Sequence, residues 1–207
     1  MLKAKFNTEK ISIKIGLVFS KLGMSPNMWT ILALIPAFFG FLLLLEGNLL
    51  VAAAFFVFSG FLDAIDGAVA RVTGSVTNLG AFLDGIVDRY VEILLYLGLL
   101  FFLTNSTIEE IFVPHQYWIS LLIFGALMPT FVRAYADHRN VVTEPEDHRK
   151  MGGLIERAER LILLFVGMIL GYFNPVYLAY IVVLATVLTN LTALHRIIFV
   201  LRFKKTT

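Results

Sequence analysis

The stretch Phe61-Leu62-Asp63-Ala64-Ile65-Asp66-Gly67-Ala68-Val69-Ala70-Arg71 resumes, after eight intervening residues, as Gly80-Ala81-Phe82-Leu83-Asp84-Gly85-Ile86-Val87-Asp88. The first segment closes an apolar run that starts near residue 49, and the second opens one that continues to about residue 104. At 100° per residue, Asp63, Asp66, Gly67 and Ala70 fall within about a quarter-turn of a helix, two acids beside small residues. Gly80, Asp84 and Asp88 stack at i, i+4 and i+8 on one face of the next helix. A short connection makes two such helices antiparallel neighbours. All four carboxylates are therefore predicted to converge near one end of the pair.

Outward from this stretch the chain is apolar. Its 207 residues are 58% hydrophobic and 15% charged, where soluble domains average about 45–50% and about 25%. A bilayer core is crossed by roughly 20 mostly apolar helical residues. Six such runs are present, at about 28–45, 49–71, 78–104, 116–136, 157–172 and 175–200. The breaks carry turn chemistry, as in Glu46-Gly47-Asn48, Thr73-Gly74-Ser75 and Gly152-Gly153. The prediction is an all-α integral membrane protein of one domain, 1–207, with a six-helix transmembrane bundle over 28–200. The chain has no cysteine, which excludes a disulfide-stapled module and thiolate metal sites. The absence of an internal repeat gives no support to an inverted-repeat transporter.

The cations set an orientation. Lys3, Lys5, Lys10, Lys14 and Lys21 precede the first run, and Arg71 follows the second. Arg139, Arg149 and Lys150 join the fourth to the fifth, and Arg202, Lys204 and Lys205 follow the sixth. The three opposite connections hold no Lys or Arg, only Glu46, Glu109 and Glu110. Both termini and the aspartate-rich helix ends are thereby predicted to be cytoplasmic. Within 1–27, Ile11, Ile15, Val18, Phe19 and Leu22 recur at helical spacing, with Lys10, Lys14 and Lys21 elsewhere. This reads as an amphipathic helix on the cytoplasmic membrane surface rather than a cleaved leader.

Acids inside a membrane are costly and mark function. Four aspartates at one site repel one another, and burial opposes their ionisation further. Pairing with Arg71 and Arg89 would leave two of the four charges uncompensated. A divalent cation removes the conflict, and ligation by oxygen alone favours Mg²⁺ or Mn²⁺, with Ca²⁺ possible, over Zn²⁺. Four carboxylates suit one or two ions, an arrangement that clamps phosphoryl oxygens. The rival reading from another class is a cation transporter, but such a path would spread its acids through the membrane depth. Glu92 alone lies deeper, and an i, i+3 pair with Arg89 accounts for it.

Taken together, Asp63-x-x-Asp66-Gly67-x-x-Ala70-Arg71, eight residues, and Gly80-x-x-x-Asp84-x-x-x-Asp88 resemble the signature of the CDP-alcohol phosphotransferase family, with every fixed position present. The resemblance implies a phospholipid-synthesising enzyme in which an alcohol displaces CMP from a CDP-linked lipid. It implies that Asp63, Asp66 and Asp84 bind the first of two Mg²⁺ or Mn²⁺ ions. Asp88 is implied as general base on the acceptor hydroxyl and as a contact to the second ion. Gly67, Ala70, Arg71, Thr77 and Gly80 belong to the implied nucleotide and CDP-lipid site. The segment Ser25-Pro26-Asn27-Met28-Trp29-Thr30 adds Asn27 and Thr30, although Ser25 and Pro26 also read as an ordinary helix start. A homodimer among membrane lipids is implied as well, with no nucleic-acid partner.

The second half carries Arg133, Arg157, Arg160 and Arg196. Spacing alone leaves two readings open. Either these arginines form a phosphate pocket near a helix N-terminus, or Glu156 and Arg160 pair at i, i+4 and the other cations serve topology. The run Gly152-Gly153-Leu154-Ile155-Glu156-Arg157-Ala158-Glu159-Arg160 is similar to one in phosphatidylinositol-phosphate synthases and their archaeal counterparts, whose acceptor is inositol phosphate. That resemblance implies that Arg160, Arg133 and Arg196, with Arg157 beside them, hold an acceptor phosphate. Ala158 stands where proline is common, and Arg133 is followed by Tyr135 where a second basic residue is usual. Glycerol 3-phosphate or serine as acceptor, or CDP-inositol as donor, are the alternatives. His138 and His148 read as members of a solvated loop over 136–150, and no histidine is assigned a metal.

Overall fold

The structure is a computed structural model that describes residues 8–203. Lys3, Lys5, Lys204 and Lys205, used above for orientation, lie outside the described residues. Nine helices run in chain order through these residues, α1 Thr8–Ser20, α2 Pro26–Leu32, α3 Leu34–Leu45, α4 Leu49–Thr73, α5 Asn78–Asn105, α6 His115–His138, α7 Pro145–Lys150, α8 Arg157–Phe173 and α9 Pro175–Arg202. The one extended element among them is an isolated bridge between Ile111 and Val113. The chain divides between Gly98 and Leu99 into two compact units.

In the first unit, α4 is the element on which α1, α2 and α3 pack. Ser25 caps α2 by accepting from the Met28 N–H, and Pro26 follows at the first helical position. The first apolar run is interrupted at Ala33, a break the hydropathy pattern did not foretell. Pro36 has no N–H to return to the preceding turn, so the ladder loosens there. Ser59 of α4 donates a 2.8 Å hydrogen bond to the Ala33 carbonyl, fixing the break against its neighbour.

The stripe expected on α1 is divided. Ile15 and Phe19 turn inward onto a cluster of Trp29, Ala33, Leu62, Ile65 and Val69, with the Phe19 and Trp29 rings edge to face at 5.4 Å. Ile11, Val18 and Leu22 stay 55–61% exposed. One flank of α1 is thus committed to α4, and the remaining apolar side chains face outward. Further along the chain Glu92 is buried. It receives Arg89 at 3.1 Å and the Tyr96 hydroxyl at 2.9 Å, the local pairing expected for it.

In the second unit α9 is the central element, packed by α6 and α8. Asn190 of α9 donates to the Leu121 carbonyl of α6 at 2.9 Å. Thr192 of α9 accepts the Leu154 and Ile155 N–H groups, each at 3.1 Å, and so ties down the segment that leads into α8. Glu156 caps α8 in a reciprocal box with Glu159. Helix α7 falls within the segment read from sequence as a solvated loop.

Helices occupy all six expected apolar runs, with ends shifted by only a few residues. Four stretches, Pro26–Leu45, Leu49–Thr73, His115–His138 and Pro175–Arg202, are long and apolar enough to cross a membrane. The other two runs fall short of that standard for physical reasons. α5 carries Asp84, Asp88, Arg89 and Glu92 between its start and its middle, and α8 has 17 residues, about 26 Å of helix against a hydrocarbon core of about 30 Å.

Candidate active site

The carboxylates are delivered by two helix ends and the turn between them. α4 stops at Gly74, which adopts φ 65° and returns its N–H to the Ala70 carbonyl. That left-handed position is one a glycine takes without steric cost. Only residues 74–77 separate α4 from α5. Thr77 starts the next helix, its hydroxyl accepting the Gly80 N–H at 3.0 Å and its carbonyl accepting the Ala81 N–H at 3.0 Å. The spacing within each helix then sets which acids meet.

Carboxylate oxygens of Asp63, Asp66 and Asp84 lie within 4.8 Å of one another. Three anions at that separation repel strongly, and Asp66 is buried. A hard divalent cation bound through oxygen relieves both the repulsion and the burial cost, so this donor set fits such an ion. Asp88 stands one turn beyond Asp84 on α5 and outside the group of three.

Asp66 is held from a third helix. The Thr30 hydroxyl of α2 donates to Asp66 Oδ2 at 2.5 Å. Thr30 thus acts on the carboxylate cluster, a role that no local pattern in the sequence discloses.

Beside the cluster is a cavity of about 400 Å³. Asn27, Thr30, Gly67, Ala70, Arg71, Thr77 and Gly80 all line it, together with Asp66 and Asp84. Every residue expected at a nucleotide site is therefore on one wall or another of a single space. A Cβ at Gly80 would come 3.1 Å from Thr77 Oγ1 and 3.3 Å from Asn27 Oδ1, so both side chains would have to give by a few tenths of an ångström.

The arginines of the second unit divide by environment. Arg160, in the first turn of α8, is buried, and Arg157 is half-buried. Arg196 donates from Nε to the Gly152 carbonyl at 3.0 Å and from Nη1 to the Pro129 carbonyl at 2.9 Å. Two of its five N–H donors are thus engaged with backbone, and three remain. Arg133 is exposed, within electrostatic reach of Arg196, and lines a second cavity of about 350 Å³ with Thr130, Asp137 and His148. His148 departs from the solvated reading. Its side chain is only 9% exposed, with Nε2 at 3.4 Å from Asp137 Oδ1, because α7 folds it against α6.

With this geometry in view, comparisons with known proteins become specific. The family model for CDP-alcohol phosphatidyltransferases matches residues 23–198. An archaetidylinositol phosphate synthase from Pyrococcus horikoshii is 28% identical over 184 residues, covering 89% of this chain and 87% of that protein. The crystal structure of Mycobacterium tuberculosis phosphatidylinositol phosphate synthase with CDP-DAG bound is similar at a TM-score of 0.80 and 26% identity, covering 93% of this chain and 94% of that one. The same enzyme in complex with manganese and citrate also gives a TM-score of 0.80 at 26% identity, covering 92% of this chain and 89% of that one. These matches decide between the transferase and the cation pathway in favour of the transferase. The chain belongs to the CDP-alcohol phosphatidyltransferase family, divalent-metal-dependent integral membrane transferases of phospholipid synthesis.

Proposed function

We propose that the protein transfers a phosphatidyl-type group, ester- or ether-linked, from a CDP-linked lipid to inositol 1-phosphate and releases CMP. The observation that carries the donor half is the meeting of Asp63, Asp66 and Asp84 beside a cavity lined by the family's signature residues. The acceptor half is supported by the arginine run of α8 and by the names of the relatives in both comparisons. The family match runs across both units, and the chain is read as one domain, 1–207.

Each side chain has work that its chemistry suits. Asp63, Asp66 and Asp84 hold Mg²⁺ or Mn²⁺, which when bound supplies positive charge to the diphosphate and to departing CMP. Gly67 and Gly80 leave backbone bare for close approach of the nucleotide. Asn27 and Thr77 offer it polar contacts, and Arg71 faces its diphosphate. Arg133, Arg160 and the remaining donors of Arg196 hold the acceptor's phosphate, with Arg157 beside them.

A hydroxyl is too weak an acid to attack phosphorus unaided, so Asp88 takes its proton as the bond forms. The acceptor oxygen bonds to the lipid-linked phosphorus, and the bond from that phosphorus to the CMP oxygen breaks. Both termini and the site face the cytoplasm, as the distribution of Lys and Arg supports, and α5 and α8 complete six spans. α5 tolerates Asp84 and Asp88 in this reading because they sit at its cytoplasmic end, and the deeper Glu92 because it pairs with Arg89.

CMP release by the purified protein, with CDP-lipid and Mg²⁺, is expected with inositol 1-phosphate and not with glycerol 3-phosphate, serine or free inositol. Asp88→Asn is expected to lower turnover by at least about 100-fold. Turnover on another acceptor would remove the arginine assignment, and an active Asp88→Asn would remove the base. Thr30→Val keeps the side chain's shape and deletes its hydroxyl. It is expected to weaken Mn²⁺ binding about tenfold in a spin-resonance titration, whereas unchanged affinity would detach Thr30 from the ion. Because the chain lacks cysteine, single replacements report topology cleanly. Arg139→Cys is expected to react with an impermeant maleimide only from the cytoplasmic side, and Glu110→Cys only from the other. The reverse labelling would invert the orientation.

A further inference from the structure

Arg71 is gripped from outside its own helix. Its Nη2 donates a 2.7 Å hydrogen bond to the hydroxyl of Ser12 on α1, 59 residues earlier in the chain. Gly16, one turn further along the same face of α1, is buried. A Cβ there would collide with the Ala68 carbonyl and the Val72 side chain, which flank Arg71 on α4. The approach of the two helices is therefore as close as backbone allows. On its other side the guanidinium lies over Gly67, where a Cβ would come 3.2 Å from Nη1. Arg71 is thus confined between α1 and the bare surface of Gly67, at the wall of the 400 Å³ cavity.

We propose that Ser12 is a positioning residue for the donor, holding Arg71 so that its remaining N–H groups face the diphosphate. This rests on the reading of Arg71 as a diphosphate contact. The partner's chemistry suits the task. A carboxylate at position 12 would fix the guanidinium but cancel the charge the diphosphate is meant to meet. A hydroxyl accepts the hydrogen bond and leaves that charge intact. Long arginine side chains visit many rotamers, and restricting them before ligand arrives lowers the entropy lost on binding. The same helix turns Ile11, Val18 and Leu22 outward, so one element joins a lipid-compatible face to the grip on the nucleotide.

The test is calorimetric titration of the purified full-length protein in Mg²⁺ with CDP as the probe. Ser12→Ala is expected to weaken CDP binding about three- to tenfold, and Ser12→Thr, which keeps the hydroxyl, to restore it. Arg71→Lys is expected to weaken CDP binding by itself, with Ser12→Ala adding nothing in that background. Wild-type affinity in Ser12→Ala overturns the proposal, as does an equal further loss on the Arg71→Lys background. Unchanged CDP binding in Arg71→Lys would instead overturn the diphosphate assignment on which the proposal stands. A Ser12→Ala loss that Ser12→Thr fails to repair would point to disturbed α1 packing, and would count against it.

Discussion

Carboxylate oxygens from three aspartates within 4.8 Å of one another, on two helices of an apolar chain, are the constraint that organises the first unit. Left alone, such a cluster would push its helices apart, since charge repulsion strengthens where water is scarce. The local architecture holds it together regardless. A four-residue connection with a left-handed glycine at one end and a threonine cap at the other leaves α4 and α5 little freedom to separate their ends. Thr30 then reaches in from α2 to satisfy one oxygen of the buried Asp66. Three carboxylates so placed fit a divalent ion, which in the proposed function completes what the chain has prepared.

The second unit handles charge differently. Arg196 is partly consumed by structure. Arg196 bridges the carbonyls of Gly152 and Pro129, so a side chain suited to anion binding also joins α9 to the segment before α8 and to the proline-containing turn of α6. Thr192 fastens the same segment through two N–H groups. Arg196 is pre-organised in this way, because its guanidinium is held by two backbone carbonyls. Glu156 and Glu159, close by in sequence, serve the helix cap.

Local periodicity made most of this legible from sequence. Hydropathy is a run-length property, and the six apolar runs became helices with ends shifted by a few residues. The i, i+3 and i, i+4 spacing of the aspartates is likewise local, and it foretold the meeting of Asp63, Asp66 and Asp84, whereas Asp88, expected to converge with them, stands outside the group. The interruption at Ala33 has a visible cause in Pro36, yet an unbroken apolar run hid it. Contacts such as Thr30 to Asp66 and Ser12 to Arg71 span 36 and 59 residues, and no period connects their ends. His148 was misjudged because a polar segment reads as solvated until a short helix folds one of its faces inward.

The cluster of three aspartates as a divalent-cation site is most directly tested by anomalous diffraction at the manganese edge, on crystals grown with Mn²⁺. The account predicts a peak bounded by Asp63, Asp66 and Asp84 that disappears in Asp84→Asn. A peak elsewhere, or none between these residues when the crystals are saturated with Mn²⁺, would contradict it.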